Sequence, residues 1–93
     1  MLKGWVWLKA LGIVEVKSLI GAIQAADTML KSADVELVDI DLVGSGIVAA
    51  IIKGDVAAVK AAVENGEESA GRLAEIISTN VIARPHDEVS KIL

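Results

Sequence analysis

The stretch Asp41–Val48, DLVGSGIV, sets two apolar, strand-like runs on either side of Gly44-Ser45-Gly46. Glycine supplies the positive φ of a tight hairpin, so the corner reads as a turn between paired strands, with Ser45 tolerated. A phosphate cradle is the sharper alternative. It works by opening a glycine turn into a helix, whose N-terminal N–H groups meet the anion. Here the apolar run Ile47–Ile52 follows and reads as a strand buried on both faces, so the cradle has no helix to use.

Upstream of the corner, Val35–Val43 alternates, with Val38, Ile40 and Leu42 to one side and Asp39 and Asp41 to the other. Before it, Leu19, Ile23, Ala26, Met29, Leu30 and Ala33 recur at helical spacing behind a capping Ser18, with Gln24, Asp27, Thr28 and Lys31 opposite. Asp27 and Lys31 form an i,i+4 pair in the favourable order. Leu11–Val16 alternates well enough for a first strand.

Downstream, Asp55 stands where it would cap a second helix, with Val56, Val59, Val63 and Ala70 inward and Gly66 and Gly71 loosening its later turns. Glu75–Ile82 supplies a fourth strand. Pro85 then opens a short final helix, where its missing N–H costs nothing, and Val89, Ile92 and Leu93 dock back. The order β-α-β-β-α-β predicts an α+β fold of the ferredoxin-like type: a four-stranded antiparallel sheet with both helices on one face. A short C-terminal helix completes it. Residues 10–93 form one domain and residues 1–9 an N-terminal extension.

Composition narrows the function. A chain of 93 residues buries only about 60–65% of its unfolded surface. Yet 54% of it is hydrophobic and its mean hydropathy is +0.59. A bilayer span would explain this, but the longest apolar run, Ile47–Ile52, falls far short of the ~20 residues required. The remaining explanation is a domain with more apolar surface than it can bury alone, which favours self-association. A net charge of −4 argues against a nucleic-acid surface. The absence of cysteine removes disulfides, thiol catalysis and zinc–thiolate sites. The opening MLKGWVWLK stops being apolar after Leu8, too early for a signal-peptide core, so the expected location is the cytoplasm.

The remaining candidates have ordinary readings. Asp39 and Asp41 share a strand face, but no third ligand stands nearby, so a solvated face is favoured over a metal or acid–base pair. His86 is the only histidine and lacks partners for a zinc site or a triad. No cofactor and no metal are expected. Lys31 in the last turn of its helix suits the helix dipole. Arg84, held extended before Pro85, presents a rigid donor fork that suits carbonyls or carboxylates across an interface, although residue type alone favours a free surface arginine. Trp5 and Trp7 fall on one side of an extended segment, as a tail, an edge strand or an interfacial anchor.

Taken together, the segments ALGIVEVKSL, AIQAADTMLKSADVELV, VGSGIVAAIIKGDVAAVKAAVENG and VIARPHDEVSKIL resemble a bacterial microcompartment shell protein of the single-domain, hexamer-forming class. The resemblance runs from Ala10 to Leu93. It implies a non-enzymatic tile: cyclic hexamers that pack edge to edge with other shell proteins around encapsulated enzymes. It further implies that Gly44, Ser45 and Gly46 rim a central pore for small polar metabolites, flanked by Asp41, Leu42 and Val43. Lys31, Asp34, Arg84 and His86 would lie at contacts between hexamers. Asp34 departs from a frequent asparagine of the family, and Asp41-Leu42 from a basic or polar approach to the pore. A ferredoxin-like module that binds a small regulatory molecule is the competing reading; an enzyme is the weaker third, since the usual nucleophiles and bases are nearly absent.

Overall fold

A computed structural model of the chain describes residues 9–84. They form β1 (Lys9–Val16), α1 (Leu19–Ser32), β2 (Val35–Gly44), β3 (Ile47–Asp55), α2 (Val56–Gly71) and β4 (Ile76–Arg84). The strands make one antiparallel sheet in the order β2-β3-β1-β4. The tryptophans and the final helix expected from Pro85 lie outside the described residues.

Strand alternation sorts the side chains into two layers. Ala10, Val14 and Val16 of β1 and Val48, Ala50 and Ile52 of β3 join the buried alanines of α1 and Val59, Ala62 and Val63 of α2 in one core. Both helices therefore cover the same sheet face. The opposite face carries Leu11, Ile13, Ala49 and Ile51 at its middle, and Glu36, Asp39 and Asp41 along β2. Ile40 and Leu42 turn to the helix side and the two aspartates away, as their alternation predicts. Val38 does not keep the pattern, because the register shifts between Leu37 and Asp39 and leaves it in a bulge.

Three local expectations are revised. In α1 the inward face is Gly21, Ala22, Ala25, Ala26 and Met29, while Leu19, Ile23 and Leu30 stay exposed. At 100° per residue these three form a second apolar stripe, about 100° round from the buried one. Close packing selects the small residues: a Cβ on Gly21 would meet the Ala74 Cβ at 2.8 Å. Gly66 does not loosen α2 but lets it approach Met29, whose Cγ would lie 2.6 Å from an added Cβ. Asp55 precedes α2 without capping it through its side chain; its carboxylate accepts from Lys9 Nζ at 3.0 Å instead. Ser18 does cap α1, accepting from the Gly21 N–H at 3.0 Å. Such a cap contributes about 1 kcal/mol.

A half-buried polar clasp joins the helices, one that local patterning does not reveal. Gln24 Nε2 donates to Ser69 Oγ at 2.7 Å and the Thr28 hydroxyl donates to the same oxygen at 2.8 Å.

Candidate functional site

The corner is a hairpin. Gly44 pairs with Ile47, and Ser45 and Gly46 form the turn with φ of 56° and 80°. Two positive φ values in succession are the signature of a type I′ turn, whose twist matches that of the flanking strands. Ser45 is the one non-glycine residue with positive φ among the described residues, in a region that costs an L-residue roughly 1–2 kcal/mol. Gly44, at φ 130°, has nothing within 4 Å of an added Cβ, and Gly46 has only Lys17 Cγ at 4.0 Å. Within one copy these glycines serve backbone conformation and relieve no crowding.

Around the turn, apolar and charged groups divide. Leu42 is 73% exposed and Val43 53% exposed, although Leu42 is opposite the buried Val48 on the helix side of the sheet. Leu42 sits past the cover of the helices, and a second register shift leaves Val43 unpaired. Asp41 is opposite Ala49 on the other face, exposed. Lys17, beside Gly46, was not among the residues singled out from sequence. It lies 29 positions away along the chain, and only the β1–β3 pairing brings it there.

The remaining candidates stand at the far end of the sheet. One row of the register runs Val35, Gly54, Ala10 and Ala83 across all four strands, and the next holds Asp55, Lys9 and Arg84. Lys31 and Asp34 precede that end of β2, and the backbone of Arg84 stands at the same end of the sheet on the opposite edge strand, β4. Nine residue steps of β2 separate this end from the hairpin, about 30 Å. Lys31 is exposed, its Nζ 3.1 Å from Asp27 Oδ2, the pair its spacing predicts. His86 lies outside the described residues. Among the described residues no group of three or more acidic or histidine side chains could hold a metal ion, and no helix is long and apolar enough to cross a membrane.

The described residues thus form a small α+β domain with an exposed glycine hairpin at one end of its sheet and charged positions at the other. A family model described as the BMC domain matches residues 10–85. The bacterial microcompartment shell protein PduA of Citrobacter freundii is 52% identical over 85 residues, covering 91% of each chain. The shell protein EutM of Salmonella typhimurium is 41% identical over 91% of this chain and 88% of its own length. The carboxysome shell protein CsoS1A of Hydrogenovibrio crunogenus is 42% identical over 90% of this chain and 88% of its own. In three dimensions the fold is similar to the crystal structure of a microcompartment protein from Desulfitobacterium hafniense. The TM-score is 0.79 with 35% identity, over 88% of this chain and 44% of the other. The chain belongs to the bacterial microcompartment (BMC) domain family.

Proposed function

We propose that six copies of this chain close into a ring around their Gly44–Gly46 hairpins and that the rings tile edge to edge into a shell facet. The chain itself is a structural shell protein, not an enzyme, of microcompartments in the bacterial cytoplasm. The ring would leave a central pore rimmed by Gly44, Ser45 and Gly46, through which small polar metabolites pass. Ser45 would offer a hydroxyl and an N–H to each of them. Other shell proteins and the enclosed enzymes would be the partners at the facet.

One observation carries this reading. Nine large aliphatics are exposed among the described residues. Seven of them, Leu19, Ile20, Ile23, Leu42, Val43, Leu73 and Ile77, belong to the hairpin end of the fold, where α1 begins, α2 ends and β4 starts. A single copy leaves them in water, and a ring closed around the hairpins would bury them between copies. The charged candidates Lys31, Asp34 and Arg84 group at the other end, which in such a ring faces outward. His86 is assigned to the same edge by its nearness to Arg84 in the chain.

The strand order and the antiparallel neighbours support a ferredoxin-like description of the domain; a terminal helix opened by Pro85 is proposed from the sequence alone. Residues 1–9 read as an extension that leads into β1. Native mass spectrometry tests the assembly: six copies per particle are expected, and a monomer at micromolar concentration would refute the ring. A regulatory ligand-binding module would instead give dimers or trimers holding one ligand per copy away from any central axis.

A further inference from the structure

We propose that the N-terminal extension folds back over the sheet face opposite the helices, with Trp5 and Trp7 as its cover. The proposal concerns a single copy and does not depend on the ring. Both helices lie on the other face, and no other element among the described residues crosses this one. Yet at its middle Leu11 is only 8% exposed and Ala49 3%, and neither belongs to the core beneath the helices. Neighbours in a sheet shield the flanks of a side chain and not its tip, so this burial calls for a cover from outside residues 9–84. Ile13 and Ile51, paired across the same face and half-buried, extend the apolar strip.

Lys9 and Arg84 are paired at one end of the sheet, so residues 1–8 and 85–93 both start beside this face. Charge separates the two segments. On β2 the strip is bordered by Asp39, opposite Ile51, and Asp41, opposite Ala49, both exposed. Residues 1–8 carry a single charged side chain, Lys3, whereas residues 85–93 carry Asp87 and Glu88 against Lys91. The basic segment suits an acidic border, and the acidic one is repelled by it. Spacing agrees. In an extended segment Lys3, Trp5 and Trp7 share one side at intervals of about 7 Å, the spacing of Leu11 and Ile13 on their strand. A turn at Leu8 brings Trp7 beside Leu11, Trp5 beside Ile13 and Ile51, and Lys3 towards Asp41. Indoles suit such a place, since they bury a large apolar surface and can keep the N–H at its wet margin. The chain thereby closes this face itself and does not leave it for another protein.

The tryptophans are their own reporters, as the chain has no other aromatic residue. The native protein is expected to emit at shorter wavelength than free tryptophan and to be quenched by acrylamide several-fold more weakly. Ile51→Ser should shift the emission to the red and raise the quenching, with far-ultraviolet circular dichroism unchanged. Native tryptophans as open to acrylamide as the free amino acid, or a folded Ile51→Ser with full protection, would overturn the proposal. A second measurement stands if Ile51→Ser fails to fold, because the chain has no cysteine. Trp5→Cys with Ile51→Cys should form a disulfide within one chain under mild oxidation, whereas Trp5→Cys with Leu30→Cys, on exposed α1, should not. A disulfide-linked dimer would assign the cover to a second copy. Cross-linking of Ile92→Cys to Ile51→Cys without that of Trp5→Cys would assign it to residues 85–93. Either result overturns the proposal.

Discussion

Gly66 of α2 lies flush against Met29 of α1: a Cβ at Gly66 would stand 2.6 Å from Met29 Cγ and 3.1 Å from its sulfur. Met29 is fully buried and cannot swing aside. Gly66→Ala should therefore destabilise the domain despite the roughly 1 kcal/mol that alanine gains over glycine in a helix. Overpacking of this kind typically costs 1–3 kcal/mol, so a net loss of about 1–2 kcal/mol is expected in urea denaturation. An unchanged or higher midpoint would mean the helices can separate freely.

The hairpin predicts the reverse sign. Ser45 holds a φ of 56° with no side-chain hydrogen bond to another described residue. Ser45→Gly should raise thermal stability by up to about 1 kcal/mol, and Ser45→Val should lower it, because a β-branched side chain fits that region worst. Equal melting temperatures for the two variants would show that the turn does not hold this conformation in solution.

The clasp between helices can be measured as a coupling. Ser69→Ala removes the oxygen that accepts from both Gln24 and Thr28. Half-buried polar groups left without a partner cost about 1–2 kcal/mol. In a double-mutant cycle, Ser69→Ala combined with Gln24→Ala should show a coupling of about 0.5–1.5 kcal/mol. Strict additivity would mean the bond contributes nothing.

Asp55→Ala should cost less than the loss of a helix cap. Its carboxylate is in an exposed ion pair with Lys9 and bonds no helix N–H. Surface pairs contribute 0–1 kcal/mol, against about 1 kcal/mol or more for a lost cap. Ser18→Ala, which removes a cap, serves as the comparison and should melt lower than Asp55→Ala. The opposite order would show that Asp55 caps α2 after all.

At the outer edge, assembly and stability should separate. Among the described residues Lys31 pairs with Asp27 on the helix surface, which stabilises by a few tenths of a kcal/mol. Lys31→Ala is expected to leave the melting temperature and the six-copy particle intact while abolishing extended sheets in negative-stain images. Arg84→Ala should do the same. Sheets that persist in both variants would remove these residues from the facet contact.

Much of the fold was readable because turn chemistry and periodicity are local. A glycine corner between alternating runs implied the β2–β3 hairpin, and Ser18 marked the start of α1. The interior of α1 was not readable. Alanines and large aliphatics both recur at helical spacing there, and the choice between them depends on how closely the sheet and α2 approach. The same holds for Gly66, whose role is defined by a methionine 37 positions earlier, and for Asp55, whose partner Lys9 is 46 positions away. Of the candidate residues, the glycine corner carried its own signal, whereas Lys17 beside it did not.

By itself, then, the sequence determined the order of elements and the hairpin, since each follows from residues next to one another. Tertiary structure decided which apolar stripe is core and which is left outward, and that hairpin and charged positions occupy opposite ends of one sheet. Those are properties of strand register and helix approach. Both are set by packing between residues far apart in the chain, where no local pattern can record them.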